Sequence, residues 1–364
     1  MDHRAYRVFN SQEMGIHKMT TIELLNIENF VLKRVSLKIY SRDLFVLIGP
    51  NGSGKTTLLK VIAGLVPYKG KVLFDGISID NLPPGKREVG YVPQSIALFP
   101  HMTVEENIMF GLRSRGYSEN EARKIAREYM EITGVLELKD KYPLKLSGGE
   151  KKKVAIARAL AIEPKILLLD EPFEGIQYEH KVHLTELIRK INRELGKTTI
   201  LVTHSMDEAL YLGNRFGILV NGKLLFSGNK EEFIKSVGKY LQYINSLECR
   251  LDDIPGEGLA KVSCNNIRLL APIEYHRSVE ENLQTSKIYL LIPADKIIVS
   301  QTPIYPKINL FEASIENMER LGKALYLLYA RIGNIMVKAL SNRPYYEKVY
   351  VKIPIKYIHV YIPM

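Results

Sequence analysis

Hydrophobic and polar positions follow three different rhythms along this chain, and the changes of rhythm mark its parts. Continuous apolar runs at Leu44-Phe45-Val46-Leu47-Ile48, Ile166-Leu167-Leu168-Leu169 and Leu201-Val202 are too short for helices. They read as strands buried on both faces. Segments of helical period lie between them. Thr57–Ala63 runs without a breaker to Gly64, Glu121–Met130 is amphipathic, and Lys151–Leu160 carries an apolar stripe. Thr103-Val104-Glu105-Glu106-Asn107 opens like a capped helix, and Glu231–Lys235 belongs to a further helix. After about Cys249 the texture becomes short alternating strands, Lys287–Pro293 and Val349–Pro354 among them. The pattern predicts an α/β domain over 21–245 with a mixed sheet and a helical subdomain at about 95–160. A small all-β domain follows over 246–364, and residues 1–20 form a polar N-terminal extension. Met19 is a candidate start.

The all-β part contains an echo. Ile292-Pro293-Ala294-Asp295-Lys296-Ile297-Ile298-Val299 shares Ile, Pro, Ile and Val with Ile353-Pro354-Ile355-Lys356-Tyr357-Ile358-His359-Val360. Two related β halves are expected.

The chemistry is written where the buried runs end. Gly49-Pro50-Asn51-Gly52-Ser53-Gly54-Lys55-Thr56 follows the first of them and precedes a helix. That is the context a phosphate-binding loop requires. Glycines at 49, 52 and 54 permit backbone conformations that a Cβ resists, so successive N–H groups can converge on phosphate oxygens at a helix N-terminus. Lys55 supplies a positive charge for the outer phosphates and Thr56 a hydroxyl for Mg²⁺. Thr57 completes the nucleotide-binding stretch from Gly49. Asp170 and Glu171 stand at the C-terminal end of the second run, the edge where open α/β sheets bind ligands. Asp170 suits Mg²⁺ and Glu171 suits a general base. Leu146-Ser147-Gly148-Gly149-Glu150 offers a second helix N-terminus with bare N–H groups, about ninety residues after the first.

A phosphate loop, a Ser-Gly-Gly turn and a strand ending in Asp-Glu together resemble the ATP-binding subunit of ATP-binding-cassette (ABC) transporters. The resemblance extends to Tyr91-Val92-Pro93-Gln94 as the Gln loop and Leu201-Val202-Thr203-His204 as the switch-histidine strand. It implies a phosphate-loop ATPase that sandwiches MgATP in a head-to-tail homodimer. Ser147, Gly148 and Gly149 of one copy would face the γ-phosphate held by the other. Gln94 would reach Mg²⁺ or the attacking water, giving Thr56, Asp170 and Gln94 as metal contacts. His204 would orient the γ-phosphate and the water. Phe30 is either the aromatic that stacks on adenine or a core residue. One departure stands out. After Asp170-Glu171-Pro172-Phe173 the family usually carries Ser-Ala-Leu-Asp, and this chain has Glu174-Gly175-Ile176-Gln177. The missing Asp normally links the two sites of the dimer. Hydrolysis is expected to be retained.

Leu98–Val104 and the β tail resemble the import-type members. The tail is similar to their small β-barrel regulatory domain of the oligomer-binding fold type, most like the molybdate/tungstate branch. An oxyanion at that domain and a pure dimerisation role are both open. Sugar, iron, polyamine and thiamine are the alternative cargoes, and an oxyanion-sensing module with a slow ATPase switch is the alternative of another class. Integral-membrane permease subunits are the implied partners, with an extracytoplasmic solute-binding protein acting through them.

Composition narrows this further. No stretch of the 364 residues reaches the ~18–20 apolar residues of a membrane span, so the pore is expected from other chains. No secretory signal is expected from the N-terminal pattern, and ATP use is expected to place the protein at the cytoplasmic face of the membrane. The net charge of +11 comes without any arginine-aromatic platform, zinc finger or basic arm, so no nucleic-acid partner is expected. Lys151-Lys152-Lys153 reads as a solvated helix face. Long coiled coils of DNA-repair relatives and the paired cassettes of translation ATPases are both missing. Cys249 and Cys264 lack metal-type spacing. Reduced thiols are expected, or a bridge if the source is a hyperthermophile, toward which abundant Lys, Glu, Ile and Tyr point.

Overall fold

The computed structural model describes residues 20–256, 258–273 and 287–362. The N-terminal extension and the question of Met19 as start therefore lie outside the described residues. The chain divides into two compact units at Lys230/Glu231.

The first unit holds two sheets. One is antiparallel, in the order β2 (Val35–Ile39), β1 (Ile22–Glu28), β4 (Lys69–Phe74), β5 (Ile77–Ser78). The other has six strands, in the order β10 (Lys223–Asn229), β9 (Arg215–Val220), β3 (Leu44–Ile48), β8 (Thr198–Thr203), β7 (Ile166–Asp170), β6 (Val89–Val92). Its strands pair in parallel except at the β10 edge. Every residue of β3, β7 and β8 is buried, the threonines of β8 and Asp170 of β7 included, as the apolar runs within them predict for strands covered on both faces.

Parallel register positions the site. Ile48 pairs with Thr203, Asp170 with Val202, and Val92 with Leu169. The C-terminal ends of β3, β8, β7 and β6 therefore lie side by side. Four motifs spread over more than a hundred residues of sequence emerge from one sheet edge.

Helices α1 (Lys55–Ala63), α5 (Tyr178–Glu194) and α6 (Met206–Leu212) follow β3, β7 and β8 in turn. Helices α2 (Val104–Ser114), α3 (Glu119–Thr133) and α4 (Gly148–Ala161) pack on one another. Thr103 and Glu106 close a capping box at the start of α2, as the sequence suggests. The buried Asn107 secures the segment before it. Its Nδ2 donates to the carbonyls of Phe99, Met102 and Thr103, and its Oδ1 accepts from Phe99 N–H.

The second unit begins at Glu231, inside α7 (Lys230–Tyr240), a helix the sequence places in the ATPase domain. Its contacts explain the shift. Ser246 Oγ donates to Ile234 O at 2.8 Å, and Lys338 Nζ donates to Gly238 O at 3.0 Å. Two five-stranded sheets then share one core. The first runs β13 (Ile267–Pro272), β12 (Leu259–Cys264), β11 (Ile244–Gly256), β14 (Lys287–Pro293), β20 (His359–Tyr361). The second runs β18 (Ile335–Ser341), β17 (Tyr326–Ile332), β16 (Leu310–Arg320), β19 (Lys348–Lys352), β15 (Ile298–Ser300).

The two orders are the same pattern, with β11–β15 repeated as β16–β20. Each half lends its last strand to the other's sheet: β15 pairs with β19, and β20 with β14. The echo in the sequence is the place of exchange. After Pro293 and after Pro354 the chain makes a single 3-10 turn and crosses over. A buried asparagine repeats as well. Asn245 exchanges hydrogen bonds with the backbone of Lys338 on β18, and Asn309 does so with Leu270 on β13, the corresponding strands.

Cys249 and Cys264 stand opposite each other on β11 and β12 and form a disulfide, so of the two alternatives the sequence left open the bridge is found and not the reduced thiols.

Candidate functional site

The loop Gly49–Gly54 joins β3 to α1. Gly52 and Gly54 take φ of +76° and +102°, conformations that favour glycine. Gly49 is required for another reason: a Cβ there would lie 2.0 Å from Leu219 O. Ser53 Oγ is buried yet meets no hydrogen-bond partner. A buried hydroxyl without a partner is costly, so this one fits a ligand oxygen delivered to the loop. Lys55 folds over its own loop and donates to Gly49 O at 2.9 Å and Pro50 O at 3.1 Å. Burial pulls its pKa down, against the opposing charges of Glu171 and Asp170.

Asp170 accepts two hydrogen bonds. Thr56 Oγ1 donates to its Oδ1 at 2.9 Å, and Tyr91 OH donates to its Oδ2 at 3.1 Å. A hydroxyl and a carboxylate brought together at the end of the phosphate loop are hard oxygen donors of the kind Mg²⁺ selects.

Next to it, Glu171 turns the chain with φ +45°, a sparsely populated conformation for a residue with a Cβ. Its N–H donates to Val202 O on β8, which sets the turn against the neighbouring strand. Its Oε2 lies 3.0 Å from His204 Nδ1. Burial raises the Glu171 pKa, and the pull of His204 and Lys55 only partly offsets that. A carboxylate with raised pKa, paired to an exposed histidine, is an arrangement suited to taking a proton from water.

The Ser147 turn caps α4. Ser147 Oγ accepts from Glu150 N–H at 3.3 Å, and Glu150 Oε2 accepts from Ser147 N–H at 2.7 Å. Glu150 fills the third helical position, where Glu or Gln completes a capping box. Gly149 packs against His180 of α5, where a Cβ would come within 3.1 Å. Phe30 is 80% exposed, which removes the core reading, and its neighbour Val31 packs beside Gly54 of the phosphate loop.

Residues 32–174 match the family profile for ABC transporter. The molybdate/tungstate import ATP-binding protein WtpC of Pyrococcus abyssi is 36% identical over 326 residues, covering 87% of this chain and 89% of that one. This chain belongs to the ABC transporter ATP-binding proteins. The Fe(3+) ions import ATP-binding protein of Fusobacterium nucleatum is 35% identical over 66% of this chain and 67% of that one. Among solved structures, a dimeric ATP-binding cassette in a post-hydrolysis state, bound to ADP and Pi, is 31% identical. Its TM-score is 0.52, over 57% of this chain and 98% of that one.

The ABC cassette here contains three contributors that the motifs did not announce. Tyr91 lies within the Gln-loop motif, but its hydroxyl donates to Asp170, and only register between β6 and β7 reveals that. Lys152 corrects the reading of a solvated lysine face. It is 4% exposed, and its Nζ donates to Gln94 O at 3.0 Å and Glu171 O at 3.4 Å. Three consecutive lysines on a helix point in three directions, and one of them faces inward. Glu174 is the third, for Gln94 Nε2 donates to its Oε2 at 2.5 Å. Gln177 is the N-cap of α5 and makes no side-chain capping bond.

Proposed function

We propose that this protein is the ATP-hydrolysing subunit of an importer whose cargo is molybdate or tungstate. The observation that carries the ATPase reading is the convergence of Lys55, Thr56, Asp170, Glu171 and His204 at one sheet edge. The cargo reading rests on the name of the WtpC relatives, 35–37% identical over 81–91% of this chain, and 2-aminoethylphosphonate import proteins, 34% identical over 86% of it, are the competing name.

Two copies close head to tail on two ATP molecules. The loop Gly49–Thr57 cradles the phosphates and Phe30 stacks on the adenine. Ser147, Gly148 and Gly149 come from the opposite copy. Mg²⁺ would be held by Thr56, Asp170 and Gln94, and when bound would offset charge on the phosphates. Glu171 accepts the proton of the attacking water, and His204 holds Glu171 and the γ-phosphate in line. Lys55 and the Ser147 turn neutralise the charge that grows during transfer, so catalysis is mainly positioning and electrostatics. Closure drives permease subunits in the membrane, with the cassette at the cytoplasmic face. The second unit is read as a regulatory domain that senses the oxyanion. Among the described residues, no helix is long and apolar enough to cross a membrane.

The test is hydrolysis by the full chain beside two variants. Lys55→Ala is expected to lose ATP affinity, and Glu171→Gln to bind ATP with turnover down by about 10²-fold or more, the range for general-base loss. Wild-type turnover no higher than that of Glu171→Gln defeats the ATPase reading. Calorimetry of the full chain with molybdate, tungstate, phosphate and sulfate tests the sensor. Transport in proteoliposomes with the permease subunits tests the cargo, and uptake of iron or sugar in place of oxyanion would reassign it.

A further inference from the structure

We infer that Glu174 is a positioning residue for Gln94, fixing which end of its side-chain amide is offered to the metal. The inference rests on the reading of Gln94 as a Mg²⁺ contact.

The geometry begins at the end of β7. Glu171 reverses the chain, and Glu174 N–H donates back to Glu171 O at 3.2 Å, closing a tight turn. The turn returns the Glu174 carboxylate to the sheet edge. Gln94 stands two residues past β6, the strand that pairs with β7. Its side-chain Nε2 donates to Glu174 Oε2 at 2.5 Å, and its backbone carbonyl accepts from Lys152 Nζ. Lys152 also reaches the Glu171 carbonyl. Gln94 is thus held at two points, and both tie it to the turn that carries the proposed base.

The sign of the Glu174 contact matters. An ionised carboxylate only accepts hydrogen bonds, so it engages the NH₂ end of an amide and never the C=O end. With Nε2 committed, Oε1 is the end left for a ligand. A hard dication binds oxygen and not an amide nitrogen, so this is the orientation a metal contact needs. A serine or a glutamine at 174 could accept or donate and would leave the amide free to flip.

The experiment is calorimetric titration of the full chain with ADP, with and without Mg²⁺. It compares wild type, Glu174→Gln, Glu174→Ser, Gln94→Ala and the double variant Gln94→Ala/Glu174→Gln. Thermal unfolding is followed in parallel. The readout is the ratio of the two dissociation constants, which measures what Mg²⁺ adds to nucleotide binding. Both Glu174 variants are expected to reduce that ratio about threefold to tenfold, the range for one positioned hydrogen bond. Affinity without Mg²⁺ should not move, and any loss of stability from removing the Glu174 charge beside the buried Lys152 is read separately in the unfolding midpoint. The double variant should be no worse than Gln94→Ala alone. Equal losses with and without Mg²⁺, or losses that add to those of Gln94→Ala, overturn the inference. If Gln94→Ala loses the Mg²⁺ effect while the Glu174 variants keep it, only the positioning role fails. If Gln94→Ala keeps it in full, the metal role of Gln94 fails and takes this inference with it.

Discussion

Burial decides the chemistry of Glu171. The fold raises its pKa above the ordinary value of 4.5, chiefly by desolvation. The folded state therefore holds the Glu171 proton more tightly than the unfolded chain does. That contribution to stability is fully present below pH 4.5 and is lost as pH rises through the folded pKa. Glu171→Gln carries no charge to desolvate, so its unfolding midpoint should exceed that of wild type at neutral pH. The gap should close as pH falls toward 4.5, and a constant gap across that window would contradict the burial argument. Lys152 makes a related point. Composition counts it as one more surface cation, but the structure uses it to join the Gln94 and Glu171 carbonyls. Burial lowers its pKa, while Glu174, Asp170 and Glu171 act to keep it charged.

At the scale of elements, helix starts are where this cassette is specified. Capping boxes at Thr103/Glu106, Ser118/Glu121 and Ser147/Glu150 begin α2, α3 and α4. The pattern Ser/Thr-x-x-Glu is legible in each case, and at α4 it coincides with the Ser-Gly-Gly turn. The start of α5 breaks the rule, because Gln177 provides no capping bond. Gln177→Asp restores a preferred cap and should stabilise the first unit by about 1 kcal/mol, read from urea unfolding. The same substitution returns the residue usual in the family. Cooperativity of hydrolysis in ATP, measured before and after, reports whether cross-talk between sites returns with it.

The second unit draws its unity from exchange. Strands β15 and β20 trade sheets, and Asn245 and Asn309 each bridge one half to the other. Asn309→Ala takes away the hydrogen-bond partner of the half-buried Leu270 N–H and C=O and should cost about 0.5–1.5 kcal/mol for each bond lost. Asn245→Ala should cost more, since its side chain adds a buried bond to Ile292 O to the counterpart pair with Lys338. A smaller cost than that of Asn309→Ala would argue against equivalent halves. The disulfide closes a loop of sequence separation 15, for which loop entropy gives about 3 kcal/mol. Reducing agent should therefore lower the unfolding transition of the second unit, with the loss followed by circular dichroism.

The sequence by itself determined the nucleotide chemistry, because a phosphate loop, a carboxylate strand end and a helix-capping turn are local patterns with local physical causes. It also carried the duplication, as an eight-residue echo around Pro293 and Pro354. What it could not contain was register. Only pairing of Val92 with Leu169 brings Tyr91 to Asp170, and only the Glu171 turn brings Glu174 to Gln94. The inward direction of Lys152, the exposure of Phe30 and the pairing of Cys249 with Cys264 were decided in the same way. Each depends on which neighbour the fold sets within a few ångströms, and that distance is fixed by tertiary packing.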